Sequence, residues 1–129
     1  MKQSATQAKR RIAKAKILAE REQASVFIMM RVLAEHPEGL TRGELWAKLV
    51  DLSKQEGVDL STILLVGTNG RLFEYLNRRV ELGFVDSDWA ISAEDRKFRL
   101  TQEGLKHLGD YREEADRLIQ KHVHAQLVL

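Results

Sequence analysis

The chain contains no cysteine. That excludes disulfides, cysteine-ligated zinc and cysteine nucleophiles, and it fits a reducing compartment. Long apolar runs are missing too. The longest is Ser25 to Met30 with its flanks, ended by Arg31, far short of the roughly 20 residues that a membrane-spanning helix needs. No apolar stretch follows the first charges, which argues against a secretory signal. Gly67 and Gly70 lack the Gly-Lys-Ser/Thr that completes a phosphate-binding loop. Nothing in the placing of Ser, His and Asp sets a nucleophile in a strained elbow. His122 and His124 lie two apart, so on a helix they point to different sides, and no third ligand completes a metal site at a suitable spacing. An enzyme is therefore not expected, and neither is a cofactor or a metal.

What is present suits a small helical domain. The 129 residues are enough for one domain with a core and a few extra elements. Aromatic residues make up only 6% and charged residues 31%. The formal net charge of +2 hides an asymmetry. Residues 1–21 carry Lys2, Lys9, Arg10, Arg11, Lys14, Lys16 and Arg21 against Glu20 alone, a net +6, which leaves −4 for the remainder. Such an arm suits phosphates or another polyanion. The first nineteen residues, basic and without an acid, also have the composition of a transit peptide.

From Gln7 to His36 there is neither glycine nor proline, and strong helix formers dominate. Ala5, Ala8, Ile12, Ala15 and Ala19 alternate at spacings of three and four, a single helical stripe that resembles a coiled-coil seam of small residues. From Ala24 the pattern becomes apolar on most sides, so this part is buried on most sides. The reading is one long helix, or two joined near Gln23, ended by His36-Pro37. Thr41 and Glu44 then have capping-box spacing, with Leu40 and Leu45 at the positions of a hydrophobic staple. A second helix is expected from Arg42 to about Gln55, with Leu45, Trp46, Leu49 and Leu52 inward and Gly57 at its end. Ile63 to Val66 is an apolar run that periodicity leaves open between strand and helical turn. Thr68 or Asn69 caps a third helix, Arg71 to Leu82, with Leu72, Phe73, Leu76 and Val80 on one face and Gly83 after it. Phe84 to Ile91 and Lys97 to Leu100 bracket a polar loop as a hairpin. Thr101 caps a helix from Gln102 to Leu108. Gly109 interrupts it, and Asp110 with Glu113 restarts a helix whose stripe is Ala115, Leu118, Ile119, Val123 and Leu127.

The order helix, helix, helix, hairpin, helix resembles the winged helix-turn-helix superfamily. Residues 71–85 (RLFEYLNRRVELGFV) look like the third helix of such domains running into the first wing strand. Residues 98–108 (FRLTQEGLKHL) look like the second wing strand turning into the next helix. Bacterial regulators of the MarR and PadR type often carry a similar Leu-Thr-x-x-Gly-x-x-x-Leu step. The resemblance implies a mainly α fold with a small β-hairpin and long terminal helices. It divides the chain into a basic helical arm (1–23), a winged-helix domain (24–108) and a C-terminal helix for dimerisation (109–129). The implied partner is double-stranded DNA, read by a homodimer joined through its N- and C-terminal helices. The implied setting is cytoplasmic, on the nucleoid when bound, with transcriptional regulation as the role. No effector is named by the sequence.

On that reading, the helix over 69–82 enters the major groove and the 92–97 wing meets the backbone or the minor groove. Thr68 and Asn69 open the recognition helix. Arg71 and Arg78, seven apart, share a solvent face and could contact phosphates or guanine; Asn77 could pair with an adenine edge, and Tyr75 with a phosphate or sugar. Arg79 lies nearer the buried face, where a structural ion pair is the other reading. Arg96, Lys97 and Arg99 belong to the wing, and Arg99 faces solvent if Phe98 and Leu100 face the core. Lys9, Arg10, Arg11 and Lys14 of the arm could lie along the backbone. Two features point elsewhere. The hairpin is acidic, with Asp86, Asp88, Glu94 and Asp95, and the six cations between Asn69 and Arg99 meet six acids. A protein-interaction winged helix, a subunit of a larger assembly, is the alternative.

Overall fold

The computed structural model describes the backbone of residues 5–55, 60, 70–88, 92 and 94–122. Its elements are α1 (Ala5–Ala34), β1 (Leu40–Thr41), α2 (Arg42–Gln55), α3 (Gly70–Glu81), β2 (Val85–Ser87), β3 (Lys97–Leu100), α4 (Gln102–Asp110) and α5 (Arg112–His122). Gly57, Ile63 to Val66, Thr68, Asn69, Trp89 to Ile91, Val123, His124 and Leu127 lie outside the described residues. The molecule is mainly helical with one small antiparallel sheet of order β1-β3-β2.

α1 is a single helix, with no joint at Gln23. Its two halves live in different environments. Ala24 to Met30 are buried in an unbroken row, followed by Val32 and Leu33. A helix buried on every side needs neighbours on every side, and α2, β3, α4 and α5 all pack against this half. Ser25, the polar residue in that row, is satisfied because its hydroxyl donates to the Arg21 carbonyl at 3.0 Å.

α2 begins where its capping box sets it. Thr41 N–H donates to Glu44 Oε1 at 2.9 Å, and Glu44 N–H donates to Thr41 Oγ1 at 3.2 Å. Leu40 and Leu45, the staple pair, are both buried. Leu40 and Thr41 also form β1, a strand that the sequence pattern did not announce because two residues show no period. β1 pairs with β3 (Leu40 opposite Phe98), and β3 pairs with β2 (Ser87 opposite Phe98). Phe98 therefore sits at the middle of the sheet, 1% exposed, on the core side. The first hairpin strand is described over Val85–Ser87, shorter than the run from Phe84 to Ile91 expected for it.

α3 ends in a Schellman arrangement. Gly83 N–H donates to Val80 O and Phe84 N–H to Arg79 O, both at 3.0 Å. Gly83 has φ of +81°, a conformation that a Cβ would strain. One side chain then ties this turn to the far strand. Thr101 Oγ1 donates to Gly83 O at 2.6 Å and accepts from Gly104 N–H at 3.0 Å, while Thr101 N–H donates to Phe84 O at 3.0 Å. Gly104 is buried there because a Cβ would overlap the Phe84 carbonyl oxygen.

One expectation about the C-terminal part is corrected. Gly109 does not interrupt α4, which continues to Asp110; the break falls at Tyr111, whose carbonyl accepts from Ala115 N–H at 2.8 Å. A lone glycine in a helix costs only about 1 kcal/mol, less than the surrounding packing returns. Of the stripe expected on α5, Ala115, Leu118 and Ile119 are buried within this chain, where α5 packs on α1, and Val123 and Leu127 lie outside the described residues.

The two glycines of α4 give a direct test. Gly104→Ala should lower unfolding stability by about 1–3 kcal/mol or more, because the Phe84 carbonyl cannot move without breaking its bond to Thr101. Gly109→Ala meets nothing within 4 Å and should raise stability by about 0.5–1 kcal/mol. Urea denaturation of the two variants beside the parent reads both signs.

Candidate nucleic-acid interface

The first half of α1 stands clear of the core. Every residue from 7 to 17 is exposed, Ile12 at 70%. Lys9, Arg10, Arg11, Lys14 and Lys16 all lie on this stretch, which has no acid. At 1.5 Å per residue, residues 5–19 make a basic rod about 22 Å long. The first acid beyond it, Glu20, is taken up by α5. Its Oε2 lies 2.9 Å from His122 Nε2 and 3.6 Å from Lys121 Nζ. The hydrogen bond to His122, and then the positive charge of Lys121, hold the Glu20 carboxyl below the usual glutamate range.

The next acid, Glu22, changes the reading of α3. Arg71 Nη1 lies 3.7 Å from Glu22 Oε1 across the α1–α3 contact. The Tyr75 phenol faces the same carboxylate and is partly buried; burial first, then Glu22, pushes its pKa up. Arg71 and Tyr75 thus both face Glu22 on α1, with the Arg71 side chain still 43% exposed. The outward edge of α3 is Glu74, Asn77, Arg78 and Glu81, all exposed. Within it Arg78 Nη1 pairs with Glu81 Oε2 at 3.2 Å. Arg79 is half-buried, and no carboxylate among the described residues lies within ion-pair distance of it.

The residues expected on the wing divide between two places. Arg96 is partly buried and joins Asn77, Glu81, Phe73 and Val80 around a cavity of about 300 Å3, so the segment before β3 meets α3 there. Lys97 is exposed at the other side of β3, where its charge helps hold Glu38 and Glu44 below the glutamate range, after their hydrogen bonds. Arg99 is only part-exposed and stands opposite Asp86 across the hairpin, between buried Phe98 and part-buried Leu100. Ser92 Oγ donates to Asp95 Oδ2 at 3.0 Å in the loop. Thr68 and Asn69 lie outside the described residues.

Three participants were not singled out from sequence. Arg42 lies 3.6 Å over the ring of Phe73, a cation–π contact that ties the start of α2 to α3. Glu22 and the Glu20–His122 pair were likewise unmarked, since long-range pairing leaves no trace in spacing. No protein-family model, no curated protein and no solved structure matches the chain. Among the described residues no helix is long and apolar enough to cross a membrane, and no group of three or more His, Asp or Glu is placed to hold a metal ion.

The Glu20 site predicts a pH dependence. A carboxyl whose pKa is lowered by folding stabilises the fold above its unfolded value, roughly 4.3, and loses that contribution as pH falls through the folded value. Glu20→Gln should therefore be less stable than the parent at pH 7, and the gap should close below pH 4. Urea midpoints for both proteins across that range check it; a gap that persists in acid would show that the pair contributes through packing alone.

Proposed function

We propose that this chain is a winged helix-turn-helix protein that binds double-stranded DNA, in the service of transcriptional regulation. The observation that carries the reading is the arm: five exposed cations between Lys9 and Lys16 on a helix without an acid. Polyphosphate is the partner such a rod suits, because each phosphate it neutralises releases condensed counterions. The element order, and a sheet in which β3 lies between β1 and the hairpin partner β2, support the winged-helix assignment. In this reading Asn77 and Arg78 supply the base-edge contacts of α3. Arg96, Lys97 and Arg99 supply backbone contacts from the wing. Arg71 and Tyr75 act mainly as struts to Glu22.

The dimer in this proposal rests on the arm. Ala115, Leu118 and Ile119 are already covered by α1, whereas Ala8, Ile12 and Ala15 are exposed. A second reading, a protein-interaction subunit, is favoured by one observation: the outward edge of α3 answers Arg78 with Glu81 and carries Glu74 beside it. A groove-facing helix is ordinarily more positive.

A salt series separates the readings. Fluorescence anisotropy on duplex DNA should show log K falling linearly with log salt. Replacing Lys9, Arg10 and Arg11 by alanine should reduce the slope by about 2 to 3, close to 0.9 for each phosphate no longer neutralised. Asn77→Ala with Arg78→Ala should cost about 1–3 kcal/mol on a preferred sequence and little on a random one. If neither variant differs from the parent, the DNA reading fails and the interaction-subunit reading takes its place. For the dimer, Ile12→Glu should shift the protein from dimer to monomer in sedimentation equilibrium; an unchanged mass removes the arm from the interface.

A further inference from the structure

The cations of the arm are not gathered on one side of α1. A helix turns by about 100° per residue, so Lys9 and Lys16, seven apart, stand within about 20° of each other on one flank. Arg11 and Lys14, three apart, share the opposite flank, about 180° round the axis. Between the flanks, one side of the rod carries Arg10 with Ala13 and Ile17. The other side is a sector without cations, made by Ala8, Ile12 and Ala15. All of these residues are exposed, so both charged flanks and the side of Arg10 are open at the same time. The rod also continues without a joint into the buried half of α1, so whatever it grips is held at a fixed orientation to the core.

A helix lying along one phosphate strand, or on any flat anionic surface, turns one flank to it and leaves the other in water. Two opposite flanks of cations are used together only between two anionic walls. B-form DNA offers such walls in its major groove, which is about 12 Å wide and admits a helix whose diameter with side chains is about 10–12 Å. The minor groove, about 6 Å wide, is too narrow. Resting on the DNA-binding reading above, we propose that the arm itself lies in the major groove, with Lys9 and Lys16 on the phosphates of one strand and Arg11 and Lys14 on those of the other. Arg10 then faces the groove floor, where a guanidinium donates to O6 and N7 of guanine. The small side chain of Ala13 beside it lets the helix come close to the base edges. Ala8, Ile12 and Ala15 are turned out of the groove, which leaves the proposed dimer seam available. At a rise of about 3.4 Å per base pair, the rod spans roughly six base pairs. The arm is thereby a reading element in its own right, beside α3.

The test strips the flanks separately in the full chain and reads the slope of log K against log salt by anisotropy. Lys9→Ala with Lys16→Ala removes one flank, and Arg11→Ala with Lys14→Ala removes the other. These positions are exposed and alanine is the strongest helix former, so the arm stays folded. On a DNA duplex each pair should lower the slope by about 1.8, and all four together by about 3.6, near 0.9 for each phosphate released. Arg112→Ala with Arg117→Ala, an equal loss of exposed charge on α5, should leave the slope unaltered. The major groove of an RNA duplex is too deep and narrow to take the rod, so one flank at most reaches its phosphates. On RNA of the corresponding sequence, the fourfold variant should therefore lose no more slope than the better of the two pairs. The proposal is overturned if either pair leaves the slope on DNA unchanged, because the arm would then lie along a single strand. It is also overturned by an equal loss from the α5 pair, or by the full fourfold loss on RNA. A parent protein that binds no duplex at all fails the DNA reading itself; a parent that binds with one flank engaged fails only the groove.

Discussion

The structure depends on the burial of the second half of α1. Ala24 to Met30 have no face left for solvent, so this half can exist as a helix only if other elements close around it. α2, β3, α4 and α5 do so: Leu45 and Leu49 of α2, Phe98 of β3, and Ala115, Leu118 and Ile119 of α5 are buried in a shared core, and Leu108 of α4 packs part-buried against it. Each large apolar side chain buried there contributes roughly 1.5–3 kcal/mol. A handful of such contributions matches the whole net stability of a typical domain, about 5–15 kcal/mol. Every later feature is placed relative to this central helix.

The second constraint is geometric. The hairpin must return to the end of α3, and a few hydrogen bonds around Gly83, Phe84, Thr101 and Gly104 hold that return. Thr101 caps α4 with the same oxygen that donates to Gly83, so cap and strand crossing are a single structure. This close approach of backbones leaves no room for a Cβ at Gly104. The positions of His107 and Arg79 beside Phe84 follow from it, and with them a cavity between α1, α3 and α4.

Charge is sorted by the same packing. The two acids of α1 nearest the arm are drawn inward, Glu20 to α5 and Glu22 to α3. Lys16 still acts on Glu20, while Lys9, Arg10, Arg11 and Lys14 stand exposed on a stretch that carries no acid. α3 gives up Arg71 to that arrangement, and its outer edge is left nearly neutral. Among the described residues the basic surface is therefore a rod at the start of α1, with a mixed surface on α3 and the β2–β3 hairpin.

Much of this was legible in the residues. The Thr41–Glu44 box, the staple of Leu40 and Leu45, the glycine at 83 and the cap at Thr101 are local devices whose partners lie within a turn, so spacing alone determined α2, the end of α3 and the start of α4. The burial of Ala24 to Met30 was likewise written in composition. Only the tertiary structure decided the rest. β1 is two residues long and exists because β3 is beside it. The break at Tyr111 instead of Gly109, and the covering of the α5 stripe, depend on where α1 runs. Arg71, Tyr75 and Arg79 share a short helix with Arg78, and sequence gives all four one chemistry. Which of them faces α1, a cavity or solvent is set by neighbours from elsewhere in the chain, because an ion pair or a buried guanidinium needs a partner or a wall that no local spacing specifies.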